Sequence, residues 1–267
     1  MGPQSGPDEW VSIPGLVRRA ARDFGEREAL VDDEGAFRLD FRGLEDAMVA
    51  STRAAIAAGL QPGDRAAIWA PNLHQWIEAA LGILGAGGVL VPINTRFKGA
   101  EAAYVLGKSR ARLLFTVTDF LDTDYVALLR DSGVELPDLA EIVVLQGDTP
   151  EGTIGVLDYL AAGQRVSEDD ANTRIDAIAP DDLSDIIFTS GTTGRPKGVM
   201  VTHGQSLRVF EAWTDVIGLR EGDRYLIVNP FFHTFGYKAG WMACVLRGAT
   251  IVPLAMFDVP KVLEMVA

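Results

Sequence analysis

Short apolar runs alternate with longer stretches of helical spacing along this chain, and that alternation narrows the fold more than any other feature. Ala66-Ala67-Ile68-Trp69, Val89 to Ile93, Leu113 to Val117 and Ile142 to Leu145 read as buried strands. Between them, Pro71 to Leu84, Gly99 to Leu106 and Asp122 to Arg130 read as helices. Strand–helix–strand repeats of this size form βαβ units. The expectation is an α/β fold with a mostly parallel sheet.

The flanks follow the same logic. Ser12 reads as an N-cap with Pro14 early in the first turn, and Leu16, Val17, Ala20 and Phe24 keep helical spacing up to Gly25. Ala29-Leu30-Val31 and Phe37 to Phe41 read as a hairpin across Asp33-Glu34-Gly35, followed by an Ala-rich helix from about Arg42 to Ala58. Downstream, a helix from about His203 to Ile217, a strand at Tyr225 to Val228, a helix from about Gly236 to Leu246, a strand at Thr250 to Pro253 and a helix from Val259 are expected. Residues 147 to 180 are acidic and weakly patterned, with one short helix at Val156 to Ala162. Residues 1–10 are Gly/Pro-rich and are expected to form a disordered tail.

One stretch is poor material for a core. Thr189-Ser190-Gly191-Thr192-Thr193-Gly194-Arg195-Pro196-Lys197-Gly198 follows the apolar run Ile186-Ile187-Phe188. Glycines let backbone approach an oxyanion, successive N–H groups form an anion-binding concavity, and hydroxyls donate further hydrogen bonds. Lys197 adds a compact positive charge. The stretch is not the common G-x-x-x-x-G-K-[ST] loop: counting from Gly191, Pro196 stands at the second Gly and Gly198 at the Ser/Thr. Gly198 to Thr202 reads as extended chain, so the loop joins two strands and does not lean on a helix dipole. Composition alone leaves open an ordinary polar Gly/Thr hairpin.

The run Ser190 to Gly198 resembles the signature phosphate loop of the adenylate-forming superfamily, which includes acyl-CoA synthetases, luciferases and peptide-synthetase adenylation domains. Leu84 to Asn94 resembles that family's upstream Val-Pro-Ile-Asn stretch, and Pro230-Phe231-Phe232-His233-Thr234-Phe235-Gly236 its aromatic-His segment. The resemblance implies two packed βαβ-type subdomains of an acyl-CoA synthetase N-terminal domain, truncated before the β-barrel and the C-terminal domain. The chain would divide into about 64–202 and about 12–60 plus 203–267, within a partial AMP-binding domain covering 11–267.

For the site, the resemblance implies ATP phosphate contacts from Thr189, Ser190, Gly191, Thr192, Thr193, Gly194 and Lys197. It implies catalytic roles for Lys197 and His233, and an acyl pocket walled by Phe232, His233, Phe235, Gly236 and Tyr237. The bland alternative for His233 is a packed histidine satisfied by one backbone hydrogen bond. Arg195 reads as solvated, Arg96 as a salt-bridged loop arginine, His203 as a helix-entry residue and His74 as surface or packing. The five tryptophans show no stripe, and the single cysteine, Cys244, lies in an apolar run and reads as packed.

The reaction implied is carboxylate activation with ATP, then transfer to CoA, with Mg²⁺ held by residues beyond Ala267. No adenine or ribose segment and no hinge of that family lies within these 267 residues. The chain is therefore expected to be an N-terminal piece, inactive by itself and prone to associate through exposed apolar surface. An amino-acid adenylation domain would need an acidic group near the aromatic segment, and Phe231 to Gly236 offers none. A fatty-acyl-AMP ligase and a non-catalytic nucleotide-binding or interaction fragment stay open. The net charge of −13 argues against nucleic acid as partner. No apolar run reads as a transmembrane segment, and Met1 to Gly6 has no secretory signature, so a cytoplasmic protein is expected.

Overall fold

The computed structural model describes residues 12–32, 35–189 and 195–266. Among these, eleven strands form two sheets. Seven come from the middle of the chain: β3 (Arg65–Trp69), β4 (Val89–Pro92), β5 (Ala111–Val117), β6 (Glu141–Gln146), β7 (Ile154–Gly155), β8 (Leu183–Thr189) and β9 (Lys197–Thr202). Their order is β7-β6-β5-β3-β4-β8-β9, and every neighbouring pair is parallel except β8 with β9. The other sheet uses β1 (Glu28–Asp32), β2 (Phe37–Asp40), β10 (Arg224–Ile227) and β11 (Thr250–Pro253) in the order β10-β11-β1-β2. Strands from both ends of the sequence thus share one sheet, with Leu30 of β1 in parallel register with Ile251 of β11.

Helices fill the space between and around the sheets. In α1 (Ile13–Phe24) the N-cap Ser12 accepts a hydrogen bond from Gly15 N at 3.1 Å, which satisfies one of the free N–H groups of a first turn. The stripe Ile13, Leu16, Val17 and Ala20 is buried. Asp40 caps α2 (Phe41–Ala57) through Gly43 N at 2.7 Å. Helix α3 (His74–Gly85) contacts β1 on one side and β3 and β4 on the other, so it lies between the sheets. It packs on α2 at backbone distance. A Cβ on Gly82 would come within 2.6 Å of Ser51 Cβ, and one on Gly85 within 2.1 Å of Thr52 Oγ1. Further helices up to residue 217 include α4 (Gly99–Ser109), α5 (Tyr125–Asp131), α6 (Val156–Ala162), α7 (Glu168–Asp176) and α8 (His203–Ile217). Thr202 and Gln205 close a reciprocal cap on α8.

The structure corrects four sequence expectations. Residues 147–180 are more ordered than their pattern suggests: α7 is capped by Ser167 and opens on Glu168, Asp169 and Asp170, but buries only Ala171 and Ile175. Two buried residues are too few to show a period. Helix α3 starts at His74 and not at Pro71, because Asn72 is engaged elsewhere. Helix α5 starts at Tyr125, since Asp124 accepts from Val126 N and Ala127 N and so marks the boundary. The helix expected from Gly236 to Leu246 is broken into Thr234–Gly236, a π-helical turn at Tyr237–Met242 and Ala243–Arg247. Gly240 departs from helical backbone there, with φ −95° and ψ −106°. Strands β1 and β2 pair antiparallel, while residues 33 and 34 of their connection lie outside the described residues.

Trp69, Trp76 and Trp241 are fully buried, as is Cys244, whose thiol pKa is pushed up by burial; Trp10 and the rest of the 1–10 tail lie outside the described residues. Apolar side chains are exposed on β9 (Val199, Met200), on α8 (Val209, Val216) and along the terminal helix Val259–Val266, which buries none of its residues. Among the described residues no helix is long and apolar enough to cross a membrane.

Candidate functional site

The carboxyl ends of five strands, drawn from both sheets, converge on one cleft of about 730 Å³. Asn72 follows β3, Arg96 and Lys98 follow β4, and Phe120 and Leu121 follow β5. From the other sheet, Asn229 and Phe232 follow β10, and Met256 and Phe257 follow β11. Open α/β sheets bind ligands at the carboxyl ends of their strands, and pockets for small molecules span on the order of 300–1,000 Å³. Strand β8 is parallel to β4. The chain therefore leaves β8 at Thr189 on the same edge of the sheet.

Beyond Thr189 the strand turns back as β9, with Thr189 opposite Lys197. The expected two-strand setting of the loop holds. Ser190, Gly191, Thr192, Thr193 and Gly194 lie outside the described residues. Lys197 is exposed and has no ion pair among the described residues. Arg195 is exposed; its guanidinium stands 5.6 Å from the centre of the Tyr104 ring, and Tyr104 Oη donates to Pro196 O at 3.3 Å.

The aromatic-His segment is built by backbone hydrogen bonds. His233 N donates to Pro230 O at 3.0 Å, and His233 O accepts from Gly236 N at 3.0 Å and Tyr237 N at 2.9 Å. Asn72 ties this turn to the other sheet: its Oδ1 accepts from Phe231 N at 2.7 Å and its Nδ2 donates to Asn229 O at 3.0 Å. A Cβ on Gly236 would lie 2.2 Å from Pro230 O, so only glycine allows the chain to close there.

Side chains diverge from this turn, and that revises the expected pocket wall. Phe232 lines the cleft, with the His233 ring 4.6 Å away. His233 is exposed, and its pKa is lowered by partial burial and then by the charge of Arg96. Phe235 is 55% exposed and meets Trp213 edge to face. Of the five residues expected as its wall, only Phe232 lines the cleft; His233, Phe235, Gly236 and Tyr237 do not. Tyr237 is wholly buried, stacked on Trp241 at 5.0 Å, and its phenol pKa is raised by burial. The π-helical turn that begins at Tyr237 aims this ring into the core.

Several other residues resolve. Arg96 lines the cleft and has no ion pair among the described residues, contrary to the salt-bridged reading. His203 is a buried helix-entry residue whose Nδ1 accepts from Ile13 N at 3.2 Å. His74 packs, with Nδ1 3.2 Å from Asp32 Oδ2 and its ring stacked on Phe37. Two important residues escaped the sequence reading. Lys238 Nζ lies 2.9 Å from Asp185, both side chains being buried. The signal was present as a carboxylate inside an apolar strand run, Ser184-Asp185-Ile186-Ile187. Burial raises the Asp185 pKa, and Lys238 and Ser184 oppose that rise. Among the described residues no group of three or more His, Cys, Asp or Glu side chains could hold a metal ion.

Known proteins of similar sequence and structure agree with one another. Residues 17–267 match the model of the AMP-binding enzyme family. A 3-[(3aS,4S,7aS)-7a-methyl-1,5-dioxo-octahydro-1H-inden-4-yl]propanoyl:CoA ligase of Rhodococcus jostii is 46% identical over 259 residues, covering 96% of this chain and 50% of that protein. The ligase of the same name from Mycobacterium tuberculosis is 40% identical, covering 92% of this chain and 47% of that protein. The chain thus spans about half the length of these relatives. Among solved structures, the inhibitor-bound N-terminal domain of FACL13 from Mycobacterium tuberculosis superposes with a TM-score of 0.77 at 25% identity, covering 96% of this chain and 60% of that one. The anthranilate CoA ligase AuaEII shares the fold with a TM-score of 0.82, covering 98% of this chain and 48% of that one. With a β8–β9 hairpin and an aromatic-His turn set at the strand ends of two sheets, and a family match over residues 17–267, the chain belongs to the AMP-binding enzymes.

Proposed function

We propose that this chain carries the phosphate-loop part of an AMP-forming acyl-CoA ligase. The observation that carries the reading is the placement of Lys197, an exposed cation without an ion pair among the described residues, on the hairpin that leaves β8 at the cleft edge of the sheet. A carboxylate oxygen attacks the α-phosphorus of ATP, the α–β phosphoanhydride bond breaks, and pyrophosphate leaves. The CoA thiolate then attacks the acyl-adenylate carbonyl and displaces AMP. Lys197, Thr189 and the loop between them offset phosphate charge, and a neutral His233 stands beside the carboxylate. Phe232 supplies apolar contact to the acyl group. Mg²⁺ accompanies ATP, and no residue described here is assigned to it.

The acid is apolar and ring-containing. Support comes from two relatives that are ligases of a methyl-dioxo-octahydroindenyl propanoate, and from the aromatic residues around His233. Two units, about 64–202 and about 12–60 with 203–267, fit the strand membership of the two sheets. Its use of ATP and CoA suits the cytoplasm. By itself the 267-residue chain binds ATP weakly and does not turn over.

Carboxylate-dependent ATP–pyrophosphate exchange, run with a panel including that bicyclic propanoate, tests the reading. ATP binding without exchange is the expected result for this chain. Exchange would show that the adenylation site is complete within it, and the active acid would name the substrate. If ATP does not bind, or binds equally well after Lys197→Ala, the ligase reading fails in favour of a non-catalytic module.

A further inference from the structure

A buried ion pair joins β8 of the seven-stranded sheet to the π-helical turn between β10 and β11, at a point of no obvious benefit to stability. Asp185 lies on β8 and is 0% exposed; Lys238 lies in the π-helical turn after the aromatic-His segment and is 2% exposed. Lys238 Nζ is 2.9 Å from both carboxylate oxygens, and Ser184 Oγ is 2.6 Å from Oδ2. The ammonium also stands 5.5 Å from the centre of the Tyr237 ring. Replacing such a pair by apolar side chains of similar volume is often neutral or stabilising, because desolvating two charges offsets their attraction. What an ion pair adds over apolar packing is direction: it fixes one relative placement of the elements it joins, whereas apolar surfaces tolerate sliding.

Placement in the chain says which elements those are. Asp185 precedes Thr189 by one short stretch of the same rigid strand, and Thr189 opens the phosphate-loop hairpin. Lys238 follows His233 by five residues, in the π-helical turn that succeeds the Thr234–Gly236 turn. The pair therefore spans the two halves of the candidate site from beneath. We propose that Asp185–Lys238 is a positioning pair, which holds the phosphate-loop strand and the His233 turn at one fixed separation. Neither residue touches substrate. The role rests on the ligase reading above, but the geometry it claims can be measured without ATP.

The test uses spin labels on Met200→Cys, exposed on β9, and Met256→Cys, exposed after β11, with buried Cys244 left unlabelled. Pulsed electron spin resonance gives the distance distribution between the sheets. In the otherwise unchanged chain it should be narrow. In Asp185→Leu with Lys238→Met, the urea midpoint should hold or rise while the distribution broadens at least twofold. Lys238→Arg, which keeps the ion pair, should restore a narrow distribution. If the apolar double variant does not fold, Asp185→Asn with Lys238→Gln is neutral, keeps hydrogen bonds and is read in the same way. A distribution as narrow as the parent's in a charge-free variant overturns the proposal. ATP affinity, titrated in parallel, should weaken about tenfold in the charge-free variant. A parent that binds no ATP would defeat the ligase reading and leave the distance result to decide the pair.

Discussion

Asn72 and Phe231 lie in the turns that follow β3 and β10, strands of different sheets, and a 2.7 Å hydrogen bond from Phe231 N to Asn72 Oδ1 joins them. The same amide donates to Asn229 O at 3.0 Å. One side chain after β3 therefore satisfies a donor and an acceptor of the turn after β10, and Asn72 is buried. Asn72→Leu fills similar space but leaves both backbone groups unpaired. The buried Phe231 N–H costs about 1–3 kcal/mol when orphaned, and Asn229 O, on an exposed residue, adds less. Urea unfolding should show a loss in that range or above, and a change under about 0.5 kcal/mol, typical of a neutral surface substitution, would show that water replaces the amide at no cost.

Gly236 sets the closure of the same turn. A Cβ there would meet Pro230 O at 2.2 Å and Asn229 O at 2.4 Å, and both are backbone atoms that cannot rotate away. Gly236→Ala must open the turn that carries His233. Overpacking of this kind costs about 1–3 kcal/mol. Thermal unfolding should register that loss, and the His233 ring resonances should shift. Unmoved resonances would mean that the turn absorbs a methyl group elsewhere.

The parts of the fold that were legible are those set by local chemistry. Ser12 and Gly25 bound α1 where the sequence placed them, and α8 and β11 run over the residues the sequence suggested. What was not legible depends on partners far away in sequence. Asp185 and Lys238 are 53 residues apart, and Asn72 reaches 159 residues to Phe231. Tyr237 could be assigned to an aromatic cluster but not to its inward side, because a helical period assumed across 236–246 misses the π-helical turn. Helix α7 was missed for the opposite reason: its charged surface carries almost no apolar stripe.

Lys197 and Arg195 should separate cleanly in function. Lys197 has no ion pair among the described residues, whereas Arg195 lies over Tyr104. A hydrogen bond to a charged group contributes about 1.5–3 kcal/mol, and exposure places Lys197 at the lower end. Lys197→Ala should weaken ATP affinity about tenfold, while Arg195→Ala changes it less than about threefold, in a fluorescent-nucleotide displacement titration. Equal losses would assign the phosphates to both cations.

His203 makes the stability of this chain depend on pH in a window of its own. It is 1% exposed, and burial lowers its pKa from 6.5 to about 4, with Asp182 opposing and Lys238 adding to the fall. The neutral ring accepts from Ile13 N, a free donor in the first turn of α1. Protonation would place an N–H against that N–H inside the core. Between these two values the unfolded chain binds the extra proton and the folded chain does not, so stability falls as pH falls. The contribution is fully present above pH 6.5 and is lost toward pH 4, by up to about 3 kcal/mol. In His203→Asn, Oδ1 can accept from Ile13 N and no group titrates. Urea midpoints at pH 7.5 and pH 5 should differ more for the parent than for this variant, with carboxylate contributions common to both. Parallel losses in the two proteins would mean that His203 is charged in the folded state already at pH 5.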